Sequence, residues 1–425
     1  MKKTVSIYTF GCKMNQYESQ AMAERLKDFE VSFSQEQADL FILNSCTVTS
    51  EAERKLRQLF RRLKVLNPDS KIIIVGCYSE LSPEELTVLG ADEVVGVKEK
   101  RDIHKYVARQ LERPDGVPQE AFFTVTSSIE GRTRAFLGIE DGCLNNCSYC
   151  RIRLARGSNV ISKPIDIVRK EFEGLVRRGY KEIVLTGINI GYYGVDLDSS
   201  LTELLNELDG LVGDWRIRLG SLDPDTVDKS FLDLLADSSR IARHMHLSLQ
   251  SGSDNVLKYM KRKYTISEYL RAVESARMVD PRFAFTTDLI AGFPGELDED
   301  HMQTLRIIEE VNFLKVHVFR FSKRPGTEAA EMKDQIESGV KKVRAQQLLE
   351  AGAKSRERYL ETHIGQTSKV LIEKTDSSTS RGFDEYYVPH VVNGRQSGFV
   401  NATVTNFESH KEGSDAELYC RSVVR

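Results

Sequence analysis

The chain has 425 residues, of which 40% are hydrophobic and 29% charged, with 28 Gly, 10 Pro and a formal net charge of −3. That length suggests roughly two to four domains, and the profile excludes wholesale disorder and collagen-like repeats. No apolar run approaches the ~18–20 residues that span a bilayer, the opening MKKTVSIYTFGCKMNQ turns polar too soon for a secretory signal, and near-neutrality announces no nucleic-acid partner.

In chain order, segments 5–10, 38–44, 71–76 and 93–97 read as strands, each followed by a helical pattern. Residues 1–114 are therefore expected to form an α/β domain with a mainly parallel sheet. Residues 51–66 read as a helix in which Leu56, Leu59, Phe60 and Leu63 form the apolar face. Arg54, Arg57, Arg61 and Lys64 recur on it at spacings of three, four and three, which places them on one basic face. Residues 115–128 read as a linker, with Pro and Gly early and Ser late.

From 129 to 360 the alternation resumes, with strands at 135–139, 182–186, 215–219, 244–249, 283–290 and 314–321 and a long closing helix at 341–361. Six such units are too few for a closed eight-stranded barrel, so the expectation is an open, partial (β/α)6 barrel. In 361–425, β-type segments at 368–373, 385–392 and 398–405 are split by SSTSRG, NGRQSG and KEGSD. They predict a small β-barrel of about five strands.

Seven cysteines stand at 12, 46, 77, 143, 147, 150 and 420. A long cytosolic chain does not need disulfides, so clustered thiols point to metal or catalysis. Cys143, Cys147 and Cys150 form a CxxxCxxC directly after the first strand of the second region. Thiolates are the usual ligands of iron–sulfur clusters. Three of them leave one iron of a four-iron cluster open for chemistry, as an open catalytic zinc position does. A zinc reading lacks a fourth ligand, since His104, the nearest His, belongs to the other domain.

Cys12, Cys46 and Cys77 look scattered, yet each ends a predicted strand of the first domain (SIYTFGC, LFILNSC and IIIVGC). Ligands of open α/β sheets bind outside the carboxyl ends of the strands, so three thiols there predict a second open-iron cluster. Gly11 and Gly76 let the backbone turn beside it. Three buried cysteines acting as small hydrophobes are the alternative. Cys420 reads as a packed small side chain, and His244 and His246 as residues that fill or rim the barrel.

The CxxxCxxC, its place after the first barrel strand and Tyr149 before its last Cys resemble the radical S-adenosylmethionine enzymes. Two three-Cys sites in adjacent domains resemble the methylthiotransferases among them, over nearly the whole chain. The matching stretches include GCKMNQYES, NSCTVTSEAERK, EIVLTGINIGYYG, HMHLSLQSGSDNVLKYMKRKYT, TTDLIAGFPGE and FSKRPGT. The last domain resembles a TRAM domain, a small β-barrel linked to RNA binding. GCKMNQYES and CTVT, with Tyr17 and Thr49, are similar to the MtaB-type subgroup, which acts on threonylcarbamoyladenosine in tRNA.

The resemblance implies two 4Fe-4S clusters, an auxiliary one on Cys12, Cys46 and Cys77 and a radical one on Cys143, Cys147 and Cys150. It implies S-adenosylmethionine as methyl donor and radical source, a methylthio group placed at C2 of the adenosine beside the anticodon, and a cytoplasmic enzyme. The implied partners are the tRNA anticodon arm, guided by the basic helix face, and an external flavodoxin- or ferredoxin-like electron donor, with no membrane and no DNA. Tyr149, Thr186, Gly187, Gln250, Gly292 and Glu296 are the implied cofactor-binding residues; Tyr192 and Tyr193 are candidates for stacking on a base.

The chain departs from the family pattern after Cys150, where Arg151, Arg153 and Arg156 stand in a stretch that usually holds proline. It departs again at Gly220, Asp223 and Arg320. Alternatives are methylthiolation of isopentenyladenosine, or of an aspartate in ribosomal protein S12. The latter is favoured by a last domain with 7 basic and 9 acidic residues. A non-catalytic iron–sulfur protein that binds RNA through its barrel is the remaining class, but a binder needs no open-iron CxxxCxxC.

Overall fold

The computed structural model describes residues 2–113, 121–128, 133–412 and 415–424. In the first region, strands β1 (Thr4–Thr9), β2 (Glu30–Phe33), β3 (Leu40–Ser45), β4 (Lys71–Gly76) and β5 (Glu93–Val95) form one parallel sheet in the order β2-β1-β3-β4-β5. Every residue of β3 is buried, as a central parallel strand covered on both faces requires. β2 was not expected from the sequence: it is a short, part-exposed edge strand with no apolar run. Helix α1 (Lys13–Arg25) follows β1, and helix α2 (Ser50–Leu66) follows β3. The α2 N-terminus is capped by Thr49, whose side chain accepts from Ala52 N at 3.2 Å.

Of the expected linker, 115–120 lie outside the described residues, and 121–128 are a docked strap rather than a tether. Phe123 and Val125 are buried, Tyr17 Oη donates to Phe123 O at 2.6 Å, and Glu24 accepts from Thr126 N at 2.7 Å.

The second region is an open arc of parallel strands. β6 (Arg134–Gly138) is followed by the short antiparallel pair β7 (Glu140–Asp141) and β8 (Ile161–Ser162). Then come β9 (Glu182–Thr186), β10 (Arg216–Leu219), β11 (Ser221–Leu222), β12 (His244–Leu247), β13 (Ala284–Ala291) and β14 (Lys315–Arg320). β6, β9 and β10 form one half, and β11 to β14 the other; an Ile217–Ile241 bridge joins them. Side chains alternate along each strand. Ala135, Leu137, Ile183, Leu185, Ile217, Leu219, Met245, Leu247, Phe285 and Leu289 join the outer core. The opposite set, facing the inside of the arc, includes Arg134, Glu182, Thr186, Arg218, His244, His246, Thr286, Asp288 and His317 and is mostly polar. The long helix runs Ser338–Glu361.

The last region is a closed five-stranded barrel, β15 (Thr367–Thr375), β16 (Thr379–Phe383), β17 (Pro389–Asn393), β18 (Phe399–Glu412) and β19 (Asp415–Val424), in the order β15-β16-β17-β19-β18. β16 lies partly in the SSTSRG stretch read as a break. The strand expected from 385 starts later because Asp384 folds the preceding residues into a turn, accepting from Tyr386 N at 2.9 Å and Val388 N at 2.8 Å. Tyr387 sits in that turn with φ 67°. Cys420 is fully buried against Tyr359, Tyr386 and Val388.

This barrel closes the amino-terminal end of the open arc. Buried Glu182 takes Arg216 at 2.7 Å and Arg218 at 2.8 Å, with Arg134 at 3.8 Å. The guanidiniums then cross to the last domain: Arg216 donates to Lys369 O and Phe383 O, Arg218 donates to Asp384 O, and Arg134 pairs with Glu373. Tyr387 enters the floor of the lumen, stacked on Phe383 and covered by Arg218 and by His244.

Candidate active site

Adjacent strands β1, β3 and β4 carry Cys12, Cys46 and Cys77 at their carboxyl ends, so the sheet order brings the three thiols together. All are free. Gly11 has φ +89°, and a Cβ on it would lie 2.4 Å from Cys46 Sγ, so only glycine lets the Cys12 turn pass the Cys46 sulfur. At Gly76 (φ +98°) a Cβ would lie 2.8 Å from Ser45 O. Asn15 clamps the loops, its Nδ2 donating to Phe10 O at 2.8 Å and Ser45 O at 2.9 Å. Burial, aided by Cys12, pushes the Cys46 thiol up to about 12, and burial also raises Cys12. These thiols stay protonated until a metal displaces the proton, and three convergent free thiols are a donor set suited to an iron–sulfur cluster.

The second trio lies on the loop after β7. Ser148 fastens that loop, its N donating to Met260 O at 3.1 Å and its Oγ to Tyr259 O at 2.7 Å. Arg262 Nη1 donates to Cys147 Sγ at 3.3 Å and also pairs with Asp223. Asp223 in turn accepts from Asn145 at 2.6 Å and Asn189 at 2.9 Å. This divergent aspartate, directly after β11, is thus the hub that ties the cysteine loop to the turn after β9 and to Arg262. Burial pushes the Cys143 thiol up to about 12 and raises Cys150. This trio also fits an iron–sulfur cluster. No group of three or more His, Cys, Asp or Glu among the described residues is spaced for a single metal ion.

The arginine run after Cys150 joins the two sites. Arg156, wholly buried, donates to Glu18 at 3.0 Å, Asp141 at 2.9 Å and Asn15 at 3.0 Å, and its charge acts on Cys12. Arg151 pairs with Glu53 of α2 at 3.2 Å, where Arg324 also binds. A cavity of about 690 Å³ opens beside this joint. Its walls include Val48–Glu51 from the loop after Cys46, Tyr149, Gln250 and Asp288, with Arg320, Lys323 and Lys341 at its edge.

Among the expected cofactor residues, Tyr149 and Gln250 line this cavity; Gln250 has φ 65°, a left-handed conformation seldom kept without a functional constraint. Gly292 lies under Lys341, whose Cγ is 2.4 Å from where its Cβ would be. The Glu296 carboxylate turns away, to Arg344 at 2.9 Å and Gly292 N at 2.6 Å. Thr186 is buried in the lumen, and Gly187 packs against the Glu140 carboxyl. Tyr192 Oη donates to Asn145 at 2.7 Å, and Tyr193 is buried with its Oη on Lys163 O.

Sequence reasoning missed Glu140, whose Oε1 accepts from Asn189 N at 2.7 Å, while its Oε2 is buried with no hydrogen bond of ordinary geometry among the described residues. Burial, then Asp141, pushes its carboxyl up to about 8. The signal available was an acidic pair directly before the cysteine motif.

The basic face of α2 is largely consumed within the protein. Arg54 pairs with Glu51, Arg57 reaches Tyr78 at 2.6 Å and Glu85 at 3.2 Å, and Lys64 pairs with Asp92 at 2.8 Å. Arg61 alone of the four is exposed without an ion pair among the described residues.

Residues 4–96 match the family described as "Uncharacterized protein family UPF0004", and residues 139–308 match the Radical SAM superfamily. The chain is 44% identical to threonylcarbamoyladenosine tRNA methylthiotransferase MtaB of Thermotoga maritima, over 93% of each chain. It is 36% identical to the enzyme of that name from Bacillus subtilis (92% of this chain, 91% of the other). It is 34% identical to tRNA-2-methylthio-N(6)-dimethylallyladenosine synthase of Desulfitobacterium hafniense (89% and 88%). Among solved structures, the fold is similar to the radical S-adenosylmethionine methyltransferase TsrM from Kitasatospora setae, with TM-score 0.59, 15% identity and coverage of 78% and 77%. It is also similar to the cobalamin-dependent radical enzyme OxsB, with TM-score 0.53, 12% identity and coverage of 85% and 56%.

Proposed function

This chain belongs to the radical S-adenosylmethionine methylthiotransferases, in the group of the threonylcarbamoyladenosine tRNA enzymes, and on that premise we propose that it places a methylthio group at C2 of N6-threonylcarbamoyladenosine beside the tRNA anticodon. The observation that carries the reading is a shared wall: the loop after Cys46 and the residue before Cys150 border one cavity. Reacting groups held on two rims around one pocket meet the demand for proximity and orientation.

In this reading Cys143, Cys147 and Cys150 hold one 4Fe-4S cluster and Cys12, Cys46 and Cys77 a second. Loaded with S-adenosylmethionine, they would supply the one-electron cleavage of the sulfonium and the sulfur that is transferred. The chain's own part is positioning. Arg156 and the Glu53–Arg151–Arg324 cluster keep the two rims in register across the domain boundary, and Arg262 offers positive charge to the Cys147 sulfur. Tyr149 and Gln250 shape the cavity for the nucleoside. The RNA backbone would meet Arg320, Lys323, Lys341 and Arg61, none of which has an acidic partner among the described residues; phosphate contacts of this kind position the substrate. An external flavodoxin- or ferredoxin-like donor would supply the electron, and the setting would be cytoplasmic; among the described residues no helix is long and apolar enough to cross a membrane.

The test is anaerobic reconstitution with iron, sulfide, S-adenosylmethionine and a strong reductant, with an anticodon stem-loop carrying threonylcarbamoyladenosine. The expected products are 5′-deoxyadenosine and the methylthio nucleoside, read by mass spectrometry. Absence of 5′-deoxyadenosine would defeat the radical chemistry. Modification of ribosomal protein S12 or of isopentenyladenosine RNA in its place would overturn the substrate.

A further inference from the structure

We propose that Arg262 is a positioning residue that sets the reduction potential of the cluster held by Cys143, Cys147 and Cys150, by fixing a positive charge and a hydrogen bond on the Cys147 sulfur. The inference rests on the cluster assignment in the reading above and adds what governs the entry of the electron.

The placement of Arg262 begins with the turn before it. The helix Asp254–Tyr259 ends with Lys261 in the left-handed region, at φ 57°. Lys261 N donates to Lys258 O at 3.0 Å and Arg262 N to Leu257 O at 2.9 Å, the pair of bonds that makes a Schellman stop. In the same turn the carbonyls of Tyr259 and Met260 accept from Ser148, the residue after Cys147. One turn thus grips the cysteine loop and aims Arg262 at it.

The guanidinium is then held on every edge. Its Nε donates to Tyr264 Oη at 3.0 Å, and it lies 4.8 Å from the centre of that ring. The Tyr264 hydroxyl is fixed in turn by Leu249 O at 3.1 Å. Nη2 pairs with Asp223, which Asn145 and Asn189 also hold, and this leaves Nη1 to donate to Cys147 Sγ at 3.3 Å. Only 7% of the Arg262 side chain is exposed, so salt and water screen its charge little. The contact with sulfur is therefore imposed by the surrounding structure.

The other trio has a different environment. There Cys46 Sγ accepts from the neutral Val48 N at 3.4 Å, and Arg156 directs its hydrogen bonds to Glu18, Asp141 and Asn15. Net charge and hydrogen bonds to the sulfurs set the potential of an iron–sulfur cluster. Reduction adds one electron to the cluster, and the external donor is oxidised by one electron. A buried guanidinium on a ligand sulfur favours the reduced, more negative form and raises the potential of this cluster alone. Arg262 thereby decides how strong a reductant the donor has to be.

The test reconstitutes the full-length protein with iron and sulfide and titrates it anaerobically over a range of solution potentials, with EPR reading the reduced clusters. Cys46→Ser and Cys150→Ser assign each transition to its site. At a fixed potential, Arg262→Met and Arg262→Gln are expected to lower the ratio of reduced to oxidised cluster at the Cys143 site at least tenfold, a shift of about 59 mV for one electron. The transition of the Cys12 site is expected to stay in place, and Arg262→Lys to keep part of the wild-type potential. Iron analysis selects the variants that retain both clusters. An unmoved transition in the Met or Gln variant that does so, or equal shifts at both sites, overturns the assignment. Loss of iron from all three variants also overturns it, because Arg262 is then a scaffold alone. If Cys150→Ser leaves the iron content of the wild type unchanged, the cluster assignment itself has failed; if that cluster is present and its potential does not move, only the Arg262 role has failed.

Discussion

Replacing Glu182 with Gln tests how the last domain is held to the barrel. Glu182 is wholly buried and is the shared anion of Arg216 (2.7 Å), Arg218 (2.8 Å) and Arg134 (3.8 Å). The Glu182→Gln change keeps the shape but leaves Arg216 and Arg218, with 5% and 2% of their side chains exposed, as an uncompensated buried pair. Removing one partner of such a network costs about 3–5 kcal/mol. At an m-value of about 2–3 kcal/mol/M, that lowers the urea midpoint by roughly 1–2 M. Trp215, the single tryptophan, is buried beside Arg216 and reports the transition by fluorescence. The arginines hold the Glu182 carboxyl well below the usual carboxylate range. Its stabilisation is therefore present above the unfolded pKa near ~4 and is lost only as pH falls through the depressed folded value. At pH 5 to 8 the wild-type advantage should be constant. A midpoint shift too small to measure, or a variant as stable as wild type at pH 6, would refute the reasoning.

Glu140 behaves in the opposite sense. With its carboxyl raised to about 8 by burial, its contribution is full below the unfolded pKa and declines as pH rises through 8, roughly 3 kcal/mol of it being lost by pH 7. Glu140→Gln should flatten the fall in stability between pH 5 and 8 in calorimetry; an unaltered pH slope would contradict it. Gly11→Ala sets a Cβ 2.4 Å from Cys46 Sγ at φ +89°, so iron bound by that site should drop while the other trio keeps its own, as read by iron analysis. Cys46→Ser and Cys150→Ser should each lower bound iron from about eight to about four atoms per chain; equal spectra for wild type and either variant would count against two sites. Arg61→Glu should reduce the salt dependence of RNA binding by about one unit, and Arg54→Glu by less, because Arg54 already pairs with Glu51 at 2.5 Å. Equal slopes would show that α2 does not face RNA.

The strand pattern explains how far the chain could be read without coordinates. Buried parallel strands are uniform apolar runs, so 71–76 and 182–186 coincide with β4 and β9. β2 and β16 escaped because an edge strand and a short barrel strand bury too little to leave such a run. The two cysteine trios were legible for different reasons: one is local spacing, and the other is the repeated coincidence of Cys with a strand end. The stripe Arg54, Arg57, Arg61 and Lys64 was legible as geometry but misleading as charge, since Glu51, Glu85 and Asp92 neutralise three of its members.

By itself the sequence determined most of the buried parallel strands, the spacing of Cys143, Cys147 and Cys150 and the coincidence of Cys12, Cys46 and Cys77 with strand ends, because periodicity and spacing are local properties. Only the tertiary structure decided what those parts face. It set the last barrel under the arc through Glu182, turned Glu296 to Arg344, and made Arg156 a bridge between the cysteine sites. Each of these depends on which charges from distant segments share one low-dielectric space, and pairing across hundreds of residues leaves no periodic trace along the chain.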